Sequence, residues 1–152
     1  MSTQSTAKTH NMLRVRFACD ENAVRSPMAE GLARDLYGDR IDFGSVGVRP
    51  GGLNMFAMVV LNELGINIAD HESSGFDTLD GAPCDLIISL TPEAQHHAIE
   101  YTRHGDCEVE YWPTQDPTHV HGSRETILDS YREVRDHLAN RIEKRFADQA
   151  VQ

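Results

Sequence analysis

Cys19-Asp20-Glu21-Asn22-Ala23-Val24-Arg25-Ser26-Pro27 places a cysteine and an arginine six positions apart in a short loop that runs straight into a helical pattern. Backbone N–H groups in such a loop turn toward a bound anion, and the N-terminus of the following helix adds the positive end of its dipole. Asp20, Glu21, Asn22, Ala23, Val24, Arg25 and Ser26 are therefore the candidate phosphate-binding segment. The same field favours a nucleophilic thiolate at Cys19. Arg25 supplies a planar fork that can grip two oxygens of a tetrahedral anion at once, which a lysine could not reproduce.

The flanks give this spacing its meaning. Upstream, Leu13, Val15, Phe17 and Cys19 alternate with Arg14, Arg16 and Ala18, the period of two that predicts a strand delivering Cys19 at its carboxyl end. Downstream, Ser26 reads as an N-cap and Pro27 as the first helical residue. Met28, Leu32 and Leu36 form the apolar face, and Gly38 stops the helix.

The rest of the chain repeats the alternation. Ile41 to Val46 reads as a second strand, and Leu53 to Leu64 as a helix closed by Gly65 in a left-handed cap. Asp85 to Leu90 is an almost unbroken apolar run, as expected of a parallel strand covered on both faces. A helix from Pro92 to Arg103 and a strand from Glu108 to Trp112 follow. The last helix, Glu125 to Phe146, sets Ile127, Leu128, Tyr131, Val134, Leu138, Ile142 and Phe146 at helical spacing. Four β-α units predict an α/β fold: one domain over residues 12–147, with a four-stranded parallel, doubly wound sheet carrying helices on both faces. In such sheets ligands bind beyond the carboxyl ends of the strands where strand order reverses, which puts the phosphate-binding loop there if the first strand is central. Residues 1–11 and 148–152 read as flexible tails.

Composition narrows the function classes. A chain of 152 residues can bury a core without disulfides. With 24 acidic against 14 basic residues, the net charge of -10 argues against nucleic acid or an anionic membrane as partner. Cys19, Cys84 and Cys107 are an odd number with no close pair in sequence, which suits a reducing, cytoplasmic setting and offers no usual zinc or dithiol spacing. His96 and His97 point to different helix faces and His119 and His121 lie in a polar loop, so neither a metal nor a cofactor is expected.

A thiolate that attacks a phosphate ester expels a poor leaving group unless a positioned acid protonates it. Asp116, stiffened by Pro117 in the loop after the fourth strand, stands at the carboxyl edge of the same sheet and is the candidate acid. Ser26 has a second possible duty, donating to the Cys19 sulfur, and Asn22 suits a tightly turned loop position.

Taken together, Cys19 to Arg25, Ser26-Pro27-Met28-Ala29-Glu30-Gly31 and Asp116-Pro117 resemble the low-molecular-weight protein tyrosine phosphatase family, whose fold arsenate reductases share. The resemblance runs through Ser45-Val46-Gly47, Leu64-Gly65-Ile66, His71, Ser73 and the strand at Asp85 to Ile88. It implies a metal-independent, two-step hydrolysis of phosphate monoesters, on a phosphorylated protein or a small phosphoester, through a phosphocysteine on Cys19. Asp116 would serve first as acid and then as base. It also implies that Asn22, Ser26, Ser45 and His71 form a hydrogen-bond network that holds the loop.

Departures from the family pattern qualify the expected substrate. Asp20 and Glu21 replace small or neutral loop residues, and their charge opposes a dianion. Val24 stands where many relatives carry a second loop cysteine. Thr118, His119, Val48 and Arg49 stand where aromatics are common, so phosphotyrosine selectivity is not implied. An arsenate reductase of the thioredoxin-coupled type needs resolving cysteines after the third strand, where Thr91 and Ala98 stand here. A catalytically weak, phosphate-binding relative is the other alternative, favoured by the acidic loop.

Overall fold

A computed structural model of the chain describes residues 12–150. Four strands alternate with four helices: β1 (Leu13–Cys19), α1 (Arg25–Tyr37), β2 (Ile41–Gly47), α2 (Met55–Asn62), β3 (Leu86–Ser89), α3 (Pro92–Tyr101), β4 (Glu108–Tyr111) and α4 (Arg124–Ala150). All pairings are parallel, in the order β2-β1-β3-β4, so β1 lies inside the sheet with Val15 beside both Phe43 and Leu86. From β1 the chain crosses outward to β2 and then back past β1 to β3. That reversal sits at the carboxyl end of β1, and it opens the crevice in which the Cys19 loop lies.

Period-two patterning sorts the side chains between two cores. Val15, Phe17, Ile41, Phe43, Leu86 and Ile88 face α1, α2 and α4, where Leu32, Leu61, Leu138 and Phe146 meet them. Ala18, Val46 and Ile87 face the other way, toward Ala94 and Ala98 of α3 and the turn at Leu79. Phe43 stacks edge-on against Phe146 at 5.4 Å between ring centres, which joins the C-terminal helix to the middle of the sheet. Among the described residues no helix is long and apolar enough to cross a membrane.

Several local expectations change in three dimensions. Helix α1 begins at Arg25, and Val24 in the cap position provides no side-chain hydrogen bond. Ser26 cannot cap, because its hydroxyl is committed elsewhere within the first turn. Leu36 is 41% exposed, since Tyr37 takes the core place at the helix end and packs on Phe146. Helix α2 is shorter than expected, starting after Asn54, whose side chain accepts from the N–H groups of Phe56 and Ala57; Gly65 does adopt a left-handed φ of 79°. Helix α3 ends at Tyr101 and passes into a short 3-10 turn. Helix α4 runs through Ala150, beyond the residue 148 at which a tail was expected. The expected N-terminal tail at 1–11 and the end at 151–152 lie outside the described residues.

Candidate active site

The loop between β1 and α1 is held by its carbonyls. The C=O groups of Cys19, Asp20, Glu21 and Ala23 accept from the N–H groups of Val48, Arg49, Gly51 and Asn54, at 2.7 to 3.1 Å. Asn22 C=O accepts from Ser73 Oγ at 2.8 Å and from His71 Nε2 at 3.2 Å, and Val24 C=O from Met28 N–H. In a trans peptide the C=O and the next N–H point in opposite directions. Carbonyls 19 to 24 all face outward, so the amides of residues 20 to 25 are turned into the loop. That is a ring of donors for an anion, backed by a helix N-terminus that no side chain caps.

Asn22 is the residue on which the loop turns. It has a left-handed φ of 53° and is fully buried. Its Nδ2 donates to Ser26 Oγ at 2.8 Å and Ser45 Oγ at 2.9 Å, and its Oδ1 accepts from Ser74 N–H at 2.9 Å. Ser45 in turn donates to Glu30, whose carboxylate also pairs with Arg34 and lies 3.9 Å from His71 Nδ1. Because a carbonyl can only accept, His71 presents a protonated Nε2 to Asn22. The structure thus brings together Asn22, Ser26, Ser45 and His71, and adds Glu30, Ser73 and Ser74. Close approach of β2 demands glycine at 47, where a Cβ would sit 2.6 Å from the Asn22 nitrogen.

Replacing Asn22 separates these effects. Asn22→Gly keeps the left-handed backbone and leaves the Ser26 and Ser45 hydroxyls their bonds to Cys19 and Glu30, but strands the Ser74 N–H. It should cost about 1–3 kcal/mol of unfolding free energy, the cost of one stranded buried group. Asn22→Ala should lose roughly 1 kcal/mol more from the left-handed φ. Denaturant melts of the two variants check this, and near-wild-type midpoints for both would show the loop standing without its asparagine.

Cys19 forms the floor of the site, with 3% of its surface exposed. Ser26 Oγ lies 2.9 Å from Cys19 Sγ and 3.4 Å from Val46 C=O, while already accepting from Asn22. The serine has one proton to give, and an ionised sulfur is the stronger acceptor. Arg25, Asp116 and Thr118 complete the walls of a cavity of about 90 Å³ with Cys19, Asp20, Glu21, Ala23 and Val24. At about 30 Å³ per liquid water, that is room for a few waters or one small oxyanion. A larger cleft of about 510 Å³ beside Glu30 and His71 is lined by no cysteine.

Arg25 is positioned from β4's side of the sheet: its Nη1 donates to Thr114 C=O at 3.0 Å. Its Nη2 lies 3.8 Å from Asp20 Oδ2 and 3.7 Å from Asp116 Oδ2. Both distances are too long for hydrogen bonds, so the guanidinium is attracted by two carboxylates and saturated by neither. Asp20 is also anchored, because its Oδ1 accepts from Thr91 Oγ1 at 2.7 Å. Thr91 caps α3 with the same oxygen, accepting from Ala94 N–H. Glu21 remains exposed.

Asp116 caps the short turn Pro117–His119, accepting at Oδ1 from Thr118 N–H at 3.0 Å and Thr118 Oγ1 at 2.7 Å. His119 Nε2 lies 3.2 Å from Oδ2. Partial burial pushes this carboxyl up, but the two Thr118 hydrogen bonds and the charges of Arg25 and His119 outweigh it and hold the group below the ordinary aspartate value. Sequence reasoning found Asp116 by its place after β4. It missed Thr91, Thr114 and Thr118, whose contacts with the site are made by hydroxyl or backbone groups that no motif singles out.

Comparisons with known proteins find a matching family model and relatives of the same fold. Residues 14–152 match the family model described as low molecular weight phosphotyrosine protein phosphatase. A Bacillus subtilis (strain 168) protein named arsenate reductase is 32% identical over 134 residues, covering 88% of this chain and 94% of the relative. A solved arsenate reductase in the phosphate binding state is 27% identical and superposes with a TM-score of 0.75, over 90% of this chain and 98% of that one. A low molecular weight protein tyrosine phosphatase from T. tengcongensis, 23% identical, shares the fold with a TM-score of 0.75 over 90% and 99% of the two chains.

Proposed function

Because the chain belongs to the low molecular weight phosphotyrosine protein phosphatase family, we propose that it is a cysteine-dependent phosphatase that hydrolyses phosphate monoesters through a phosphocysteine. The observation that carries this reading is Cys19 Sγ, 2.9 Å from Ser26 Oγ, on the floor of a small cavity walled by both Arg25 and Asp116. A module that only binds an anion has no need of a buried thiol or of a carboxyl beside the arginine. On this reading the loop amides and Arg25 take the three terminal phosphate oxygens, leaving phosphorus in line with the sulfur. Attack by Cys19 breaks the ester bond, and Asp116 gives its proton to the departing oxygen. Asp116, then ionised, takes a proton from the water that attacks the phosphocysteine, and Ser26 stabilises the leaving thiolate. A dianion on Arg25 would meet a guanidinium that neither Asp20 nor Asp116 saturates.

Arsenate reduction is the second reading, favoured by the names of curated relatives and by the likeness of arsenate to phosphate as a tetrahedral anion. Its first step would use the same cradle, but a second thiol must then attack the arsenic adduct's sulfur. Thr91 and not cysteine faces the loop from the end of β3. Cys84 lies six residues before Leu90, whose N–H bonds Ala18. At about 3.3 Å per residue, that puts it roughly 20 Å from Cys19 at the opposite end of the sheet. A reductase built on this chain therefore needs an external thiol.

The deciding experiment is steady-state hydrolysis of an activated aryl phosphate by the reduced protein, beside arsenate reduction supplied with thioredoxin or a small thiol. Hydrolysis without thiol-dependent arsenate reduction supports the phosphatase. Arsenate turnover with negligible hydrolysis sinks it in favour of the reductase. Inertness in both assays with phosphate still bound leaves an anion-binding protein.

A further inference from the structure

Cys84 and Cys107 are 23 residues apart in sequence, and the sequence shows no close pair, yet their sulfurs lie 3.5 Å apart. We propose that Cys84 and Cys107 form a redox site, distinct from Cys19, that a hydroperoxide closes to a disulfide. The inference is independent of the activity proposed above.

The pair is built by the sheet. Cys84 stands two residues before β3 and Cys107 one residue before β4, and these strands run parallel with Leu86 opposite Glu108. Glu108 N–H donates to Asp85 C=O at 3.0 Å, so the two backbones are already joined beside the thiols. Cys84 and Cys107 are offset by one position in this register, so strands about 4.8 Å apart with about 3.3 Å per residue put their backbones roughly 6 Å apart, within the span that disulfides bridge without backbone movement. The Cys84 segment is also fixed to β1. Arg14 N–H donates to Asp85 Oδ2 at 2.8 Å, Asp85 N–H to Arg14 C=O at 2.9 Å, and Arg14 Nη1 to Pro83 C=O at 3.0 Å. Both sulfurs border an open cleft of about 510 Å³ that a small oxidant can enter.

The two thiols are not equivalent. Cys84 is 7% exposed and Cys107 more open. A hydrogen bond from the Cys107 thiol, with help from the charge of Arg16 and against burial, holds Cys84 below the ordinary thiol value. The same contact and burial push Cys107 up. Cys84 is therefore the attacking thiolate and Cys107 the resolving thiol.

In the first step a Cys84 S–O bond forms as the O–O bond of hydrogen peroxide breaks, and the departing hydroxide takes a proton to become water. In the second, Cys107 sulfur attacks the sulfenic sulfur, the S–S bond forms as S–O breaks, and the hydroxide leaves as water with the Cys107 proton. Two thiols and one peroxide become one disulfide and two waters, the peroxide taking both electrons. The bond would tie the entries of β3 and β4 together at the edge remote from the active site.

The test uses the full chain carrying Cys19→Ser, so that Cys84 and Cys107 are its only thiols. After graded hydrogen peroxide, the expected result is a fall of two titratable thiols per chain, an intact mass lower by two hydrogens, and a cross-linked Cys84–Cys107 peptide, all reversed by dithiothreitol. The thermal midpoint should rise on oxidation, because the disulfide constrains the unfolded chain. In a Cys19→Ser, Cys107→Ser chain the mass should instead gain one oxygen, at Cys84. The proposal is overturned if both thiols survive peroxide sufficient to oxidise Cys19 in the wild type, or if the only disulfides formed join separate chains.

Discussion

Cys19→Ser is expected to lower hydrolysis of an activated aryl phosphate by on the order of 10⁶-fold, the scale seen when a nucleophile is removed from an enzyme that works through a covalent intermediate. Inorganic phosphate should still bind. The loop amides and Arg25 remain, and the carbonyls that orient the loop are held by Val48, Arg49, Gly51 and Asn54, none of which contacts the sulfur through those bonds. Serine is smaller and its hydroxyl can still meet Ser26, so the buried floor loses little packing. Competition or calorimetric titration with phosphate should thus show affinity close to wild type while turnover vanishes. Loss of phosphate binding together with activity would mean that the substitution had collapsed the loop. Retained turnover would remove Cys19 from its proposed role.

Asp116→Asn is expected to slow poor leaving groups by about 10²–10⁴-fold, the usual contribution of a positioned acid, and to slow good leaving groups far less. Asparagine is the informative substitution because its side-chain oxygen can still accept the two Thr118 hydrogen bonds that shape the turn. The pH dependence follows from the shift. Asp116 is held below the ordinary aspartate value, so in the empty protein it is ionised at neutral pH and carries the proton only in a minor fraction. A bound dianion reverses this by engaging Arg25 and by placing negative charge next to the carboxyl, both of which favour the protonated form. For poor leaving groups kcat/KM should therefore fall as pH rises, with that fall absent in Asp116→Asn. Equal losses across a series of leaving groups would assign Asp116 to loop structure instead.

How far the site could be read in advance depended on distance along the chain. Cys19, Arg25 and Ser26 lie within one strand-loop-helix unit, so hydropathy period, loop length and helix start located them together. Asp116 was legible one level up, since a parallel sheet delivers every strand's carboxyl end to the same edge. Its tuning was not legible, because it comes from Thr118, His119 and the guanidinium of Arg25. The N-cap reading of Ser26 failed for a related reason. A serine before proline at a helix start is a good cap in isolation, but here Asn22 and Cys19 compete for its hydroxyl from within the loop.

The acidic loop residues make the same point. By charge alone Asp20 and Glu21 both oppose a phosphate dianion. In the folded protein Asp20 is tied to Thr91 beside Arg25, while Glu21 stays in solvent, where screening weakens its effect.

By itself the sequence determined the fold class, the four β-α units, the anion loop and the residue types able to do thiol chemistry, because those depend on period, caps and spacings within a few turns of chain. Only the tertiary structure decided that Thr118 and His119 tune Asp116, that Thr91 ties Asp20 beside Arg25, and that Cys84 and Cys107 touch while both stand at the far end of the sheet from Cys19. Parallel strands are joined by long crossovers, so residues that become neighbours across the sheet are tens of positions apart, and their register is set by how the whole sheet packs on its helices.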